Sequence, residues 1–280
     1  MGTILINVLE ETLQITVFIT AMMIFVDAVN IWTRGKIAGL LQGRSKSRQY
    51  VIASFIGMVP GCLGGFTDVT LYMHGLISFG ALAGSMIASS GDEAFVMLAM
   101  FPETAIILFL ILFVTGIFGG IVTDYLAKKF KIKTRTDCPE LVVHDTERNL
   151  KHFLKEHVYH HIIKKHIWRI ALWTFGALLF VEIGFQYLHL EQISSGYKLL
   201  LLFLGALIGL IPESGPHLIF VTLFAQGVIP FSVLLTSSIV QDGHGMLPLL
   251  SYSVKGSIRI KGFNFMFGIV LGLILFAAGL

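Results

Sequence analysis

Long apolar runs dominate the chain, and short polar stretches separate them. Four runs have the roughly 20 residues that a helix needs to cross a hydrocarbon core about 30 Å thick, and they cover 13–33, 104–125, 168–189 and 263–280. Shorter, broken apolar segments lie between them at 50–66, 68–89, 92–101, 198–213, 217–240 and 242–254. The pattern predicts an all-α membrane protein of about ten transmembrane segments. Segments 92–101 and 242–254 are too short for ordinary spans, so we expect half-helices or re-entrant arms buried in protein.

The second half of the chain repeats the first. Residues 57–98 align without a gap onto residues 209–250, with 13 identities. Upstream, Phe-Val-Asp ending at Asp27 matches Phe-Val-Glu ending at Glu182. Because each half has an odd number of segments, we expect two inverted repeats, the architecture of many secondary transporters. The predicted division is a first transmembrane repeat at 1–125, a basic, histidine-rich linker at 126–167 and a second, inverted repeat at 168–280.

Composition agrees with a membrane protein and excludes an ordinary soluble enzyme. Charged residues make up 13% of the chain, against about 25% in soluble domains, and the mean hydropathy is +0.81. The first residues include Glu10 and Glu11 but no Lys or Arg, so we expect the first span to be retained and not removed as a signal peptide. Cys62 and Cys138 give neither a disulfide framework nor a CxxC metal pair.

Basic residues predict the orientation, since short cytoplasmic loops carry excess Lys and Arg. They concentrate in 34–48, in 126–169 and at Lys255, Arg259 and Lys261. Ten crossings with the N-terminus outside place all three basic segments in the cytoplasm. We therefore predict a multi-pass membrane protein with its N-terminus outside.

Ionisable and amide side chains lie at the Gly/Pro breaks inside the apolar sequence. Proline and glycine interrupt helices and free backbone carbonyls, and intramembrane ionisable groups are functional by default. Carboxylates, imidazoles and an amide suit a divalent cation such as Mn, Fe(II) or Zn, whereas softer ions prefer thiolates. The expected metal ligands are Asp68, Asp92, Glu93, Glu213, His217, Gln241, Asp242 and His244. The alternative is that these groups cap broken helices or pair with one another.

Two further groups of residues have two interpretations each. Asp27 and Glu182 lie on long, unbroken helices, where they suit proton coupling or a hydrogen bond that fixes helix packing. In the linker, His157, His160 and His161 share one face of a predicted helix. That face could bind a metal, or the helix could lie on anionic lipid through its lysines.

Taken as a set, the motifs resemble those of the bacterial ten-span heavy-metal exporters, a family also labelled manganese transporters or arsenic-permease-like proteins. The resemblance covers most of the chain. It rests on Pro60-Gly61 with Gly64-Gly65-Phe66, Ser90-Gly91-Asp92-Glu93, Phe101-Pro102-Glu103-Thr104, Pro212-Glu213-Ser214-Gly215-Pro216-His217 and Gln241-Asp242-Gly243-His244-Gly245. It implies export of a transition metal.

Three functions compete at this stage. The first is a secondary transporter that exports a divalent metal. Because the chain has no GxxxxGK[ST] loop, we expect coupling to an ion gradient, with protons as the ion. The second is an inverted-repeat transporter of a small organic anion, which the core acids would repel unless some were protonated. The third, an intramembrane hydrolase, lacks HExxH and any nucleophile paired with a base. We expect a metal-ion substrate, a lipid bilayer, no nucleic acid and no resident cofactor, and leave a homodimer open.

Overall fold

The protein is built from helices. The computed structural model describes residues 45–60, 63–91, 93–132, 198–213, 215–225 and 227–280, with single residues and short runs between 5 and 24 and between 168 and 179. Every regular element in these residues is a helix, which confirms the all-α prediction. The predicted spans at 13–33 and 168–189 lie largely outside the described residues.

Five helices are described in each half. The first half contains α1 Lys46–Met58, α2 Leu63–Met73, α3 Phe79–Ala88, α4 Glu93–Met100 and α5 Pro102–Lys129. The second contains α6 Lys198–Ile208, α7 Leu218–Ala225, α8 Phe231–Val240, α9 Met246–Tyr252 and α10 Val254–Ala277. Single 3₁₀ turns precede α7, at Gly215–His217, and α9, at Gly243–Gly245. In the described part of the chain, α5 and α10 are the helices long and apolar enough to cross a membrane.

Two predicted segments are each divided by a turn. Segment 68–89 is not continuous, because α2 ends at Met73, α3 begins at Phe79, and Gly75 between them has a φ of 72°. Segment 217–240 is divided in the same way at Gly227, with a φ of 71°. Hydropathy missed these turns because most of their residues are apolar. The last helix also begins earlier than predicted, at Val254.

Contacts between helices fix their directions in the first half. Ser78 N, just before α3, donates to Gln49 Oε1 near the start of α1 (3.1 Å), and a Cβ on Gly57 would collide with the Ser85 carbonyl. Helices α1 and α3 therefore run parallel, so α2 returns between them. At about 16 Å, α2 is too short to cross a bilayer. Helices α1 and α2 thus form a hairpin, and Gly65, early in α2, packs against Gly245 of the second half.

The long helix α5 runs antiparallel to α3. Asp124 Oδ1, near the end of α5, accepts from Gly80 N at the start of α3 (2.7 Å). One turn further along α3, Gly84 faces Gly116 so closely that a Cβ on either would overlap the other's carbonyl oxygen. Small residues at such a crossing let two helix backbones approach closely.

The second half repeats this arrangement. Gly209, after α6, meets Val240 at the end of α8, while Leu202 and Thr236 both lie against Gly272 of α10. Helices α6 and α8 are therefore parallel, α10 is antiparallel to them, and α7 returns from the tip of a second hairpin. One buried apolar cluster joins the halves, since it includes residues of α2, α3, α9 and α10.

Candidate functional site

The two helix breaks meet in the core. Gln241 follows α8 directly, and its Nε2 donates to the carbonyl oxygen of Ser89, which follows α3 directly (3.3 Å). Ser89 and Gln241 are equivalent positions of the aligned halves. Both are buried. The residues after α3 and α8 are thereby brought to one place.

The backbone takes the same course through both breaks. Gly91 has a φ of 55°, and its equivalent, Gly243, has a φ of 51°. Residues with a Cβ rarely adopt this left-handed conformation, which explains a glycine at each position. Helices α3 and α8 therefore end inside the protein, where the carbonyls of their last turns face the polar residues that follow.

His217 is the most deeply enclosed imidazole of the predicted set. It ends the 3₁₀ turn before α7, is 0% exposed, and its Nδ1 lies 3.1 Å from Ser237 Oγ. Among the described residues, nothing hydrogen-bonds to His217 Nε2. If Nδ1 carries the proton and donates it to Ser237, the Nε2 lone pair is available to a metal ion.

Two other buried polar atoms lie in the breaks themselves. Gln241 Oε1 and Ser90 Oγ have no hydrogen-bond partner within the described parts of the chain. Ser237, the partner of His217, lies in the last turn of α8, and Gln241 directly follows that helix. The end of α8 thus contacts His217 and carries Gln241, which have an imidazole nitrogen and an amide oxygen without hydrogen-bond partners among the described residues.

Glu213 and His244 form a pair between a hairpin tip and a break. His244 Nε2 lies 3.0 Å from each carboxylate oxygen of Glu213. The Glu213 side chain is 14% exposed and the His244 side chain 7% exposed. This pair links the end of the α6 hairpin arm to the 3₁₀ turn before α9.

Asp242 has an unexpected partner. Its Oδ2 lies 2.6 Å from Lys261 Nζ, and its Oδ1 accepts a hydrogen bond from Asn264 Nδ2 (2.9 Å). Lys261 was predicted to lie in a cytoplasmic loop, and that prediction was wrong. Lys261 lies within α10 and is buried. The one signal in the sequence was the spacing of Lys261, Asn264 and Gly268, which falls on one helix face.

Asp68 and Glu93 are buried in the first half. Asp68, on α2, is 0% exposed, and its Oδ2 accepts from Ser85 Oγ. Ser85 is the equivalent of Ser237, so the same serine position holds Asp68 in one half and His217 in the other. Glu93 begins α4, where the positive end of the helix dipole favours a carboxylate.

In the described residues, the predicted ligands contact separate partners and do not form one cluster. No group of three or more His, Cys, Asp or Glu side chains in the described part of the chain is arranged to hold a metal ion. Asp92, Asp27 and Glu182, together with the six linker histidines, lie outside the described residues. The structure therefore gives contacts for Asp68, Glu213, His217, Gln241, Asp242 and His244, and burial for Glu93.

Buried acids and broken helices within an apolar helical bundle define a class, the multi-pass membrane transport proteins. A family model described as "Putative, 10TM heavy-metal exporter" matches residues 2–186 and 148–278. The chain belongs to this family, which is a transporter family and not an enzyme class. Searches of curated proteins and of solved structures gave no match.

Proposed function

We propose that the protein is a secondary active transporter that exports a divalent transition metal of the Mn, Fe or Zn class in exchange for protons. Membership of a family described as heavy-metal exporters carries the proposal. The chemistry of the breaks supports it, because imidazole, carboxylate and amide groups are the ligands these metals prefer. The absence of a nucleotide-binding loop from the sequence favours an ion gradient as the energy source.

The proposed architecture is a pair of inverted repeats. Its support is the recurrence of the breaks, the left-handed glycines and the hairpins at equivalent positions. Each half would then have five segments: the N-terminal helix, the two hairpin arms, the pair α3–α4 or α8–α9 counted as one, and the long helix. The total is still ten, but the segment boundaries differ from those predicted by hydropathy. With the N-terminus outside, the α1–α2 hairpin enters from the cytoplasm and the α6–α7 hairpin from outside.

The metal would bind where the halves meet, with His217 Nε2 and Gln241 Oε1 as its first ligands. Gly65 packs against Gly245, backbone to backbone. Their equivalents in the alignment are His217 and Glu93, and α7 packs on α4, which carries Glu93. Repeat symmetry therefore predicts that the Glu93 carboxylate approaches His217. Asp92 is proposed as a further ligand, and the Glu213–His244 pair as the approach to the site.

Proton coupling is assigned to Asp27 and Glu182, which occupy matching positions on the first helix of each half. Carboxylates inside a helical bundle are typical proton relays in transporters. The basic segments support an N-terminus on the outside, and the resemblance to bacterial exporters supports a bacterial inner membrane. The histidine-rich linker is proposed to face the cytoplasm.

The test is metal flux into proteoliposomes that contain a pH-sensitive dye. Purified protein should move Mn²⁺, Fe²⁺ or Zn²⁺ with proton counterflow, and His217→Gln should reduce the flux at least about tenfold, as expected for loss of a ligand. His74→Gln is the matched control, since His74 is a buried histidine at the far end of α2 from the break. Flux of organic anions with no metal flux would instead favour the anion transporter.

A further inference from the structure

The Lys261 ammonium lies in a cage of three oxygen atoms. Its Nζ donates to the carbonyl oxygens of Gly209 (2.7 Å) and Val240 (3.1 Å) and lies 2.6 Å from Asp242 Oδ2. An ammonium group has three N–H donors. Two of these donors go to the carbonyl oxygens, the Asp242 carboxylate balances the charge as an ion pair, and the residue is only 8% exposed.

Two of the oxygens belong to helix ends. Gly209 directly follows α6, and Val240 is the last residue of α8. Carbonyls in a last helical turn lack intrahelical partners, and they carry the negative end of the helix dipole. Two helix C-termini and one carboxylate thus point at a single position, and oxygen ligands of this kind are those that hard cations take.

We propose that Gly209 O, Val240 O and the Asp242 carboxylate form a site for a small monovalent cation, and that Lys261 fills this site as a tethered cation. Asn264 holds the other carboxylate oxygen of Asp242 and so fixes its orientation. The charge that a soluble sodium, potassium or ammonium ion would bring is supplied by the chain itself. The site is therefore specific for its own lysine, and the protein needs no free monovalent cation there.

Among the described residues of the first half, this site has no counterpart. At the same sequence separation, Asp242, Lys261 and Asn264 correspond to Ser90, Phe109 and Leu112. Phe109 and Leu112 are buried in an apolar cluster. The proposal thus concerns one half only, and it depends on neither the repeat symmetry nor the identity of the transported metal.

Removing the tethered cation should create a requirement for a free one. In Lys261→Met the carboxylate stays buried without its partner, and the melting temperature of detergent-purified protein in choline chloride should fall by about 5–10 °C. Ammonium, K⁺ or Na⁺ should restore at least about half of that loss, in a concentration-dependent manner, by mass action. Lys261→Met/Asp242→Asn, which removes both charges, should show no cation dependence.

Two controls accompany these variants. Wild type and Lys255→Met, an exposed lysine on the same helix, should melt alike in choline, Na⁺, K⁺ and ammonium. The proposal is overturned if Lys261→Met melts at one temperature in all four salts. It is equally overturned if Lys261→Met fails to fold in every salt while the double variant folds, since no free cation then replaces the lysine.

Discussion

Ser89 and Gln241, which hold the same position in the two halves, are hydrogen-bonded to each other. In the proposed inverted-repeat architecture, a residue touches its own equivalent only close to the axis that relates the two copies. The contact would therefore lie close to that axis. It lies where both α3 and α8 end, so the carbonyls of two helix termini and the residues of both breaks share one small volume.

This contact gives the first prediction. Gln241→Met keeps the side-chain volume but removes the donor to Ser89 O, and it should lower the free energy of unfolding by about 0.5–1.5 kcal/mol. Gln14→Met, at an exposed position, is the control and should change it little. Denaturant unfolding of the two purified variants makes the comparison. Equal unfolding of both would mean that the Gln241–Ser89 bond adds nothing to stability.

The second prediction concerns the crossing of α3 and α5. Gly84→Ala would put a methyl group on the Gly116 carbonyl, and such overpacking costs about 1–3 kcal/mol. Gly262→Ala on α10 is matched in chemistry, but its Cβ would meet nothing within 4 Å, so it should be neutral or stabilising by up to about 1 kcal/mol. Thermal melts should separate the pair, and a stable Gly84→Ala would argue against the tight crossing.

Loss of charge at Glu213 should weaken metal binding. Glu213→Gln keeps size and one acceptor for His244, but it removes the negative charge at the proposed approach to the site. We expect the Mn²⁺-dependent rise in melting temperature to shrink, with affinity lower by about tenfold, or 1.4 kcal/mol. Glu103→Gln, exposed at the start of α5, should respond like wild type. An unchanged Mn²⁺ response in both Glu213→Gln and His217→Gln would make the organic-anion transporter the better hypothesis.

The hairpin architecture predicts which residues can be labelled from outside. In a background lacking Cys62 and Cys138, cysteines at Ser195 and Val228 should react with an impermeant maleimide in intact cells. Cysteines at Ser45 and Lys255 should react only after permeabilisation. Val228 is decisive, because it lies in the turn between α7 and α8. If 217–240 were one continuous span, Val228 would lie in mid-membrane and stay unlabelled.

The sequence predicted the breaks better than it predicted the turns. Pro60 and the glycines of the breaks lie where helices end, because proline and left-handed glycine cannot continue a helix. The turns at Gly75 and Gly227 escaped notice because apolar flanks hide them from a hydropathy pattern. The hydrogen bonds of these turns are local, since each glycine and the residue after it donate to carbonyls in the last turn of the preceding helix, a helix end at which glycine is common.

In the candidate site, the sequence indicated single residues but not their tertiary partners. Asp242 was recognised as a functional candidate from its place beside Gly243, but its partner Lys261 was assigned to a loop because lysines usually mark cytoplasmic ends. Only the packing of α10 against α8 brings the two charges together. Likewise, Ser85 and Ser237 were visible as a repeated serine, yet nothing in the sequence paired them with Asp68 and His217.

Gly65 and Gly245 join the halves through bare backbone. Because neither residue has a side chain, no rotamer change can alter this contact. The distance between the two backbones is set by the positions of the helices themselves. Any gate at this point must therefore work by rigid movement of the α1–α2 hairpin against the turn before α9. Alanine at either glycine would put its Cβ 3.2 Å from the facing Cα, so the two backbones would have to separate there by a few tenths of an ångström.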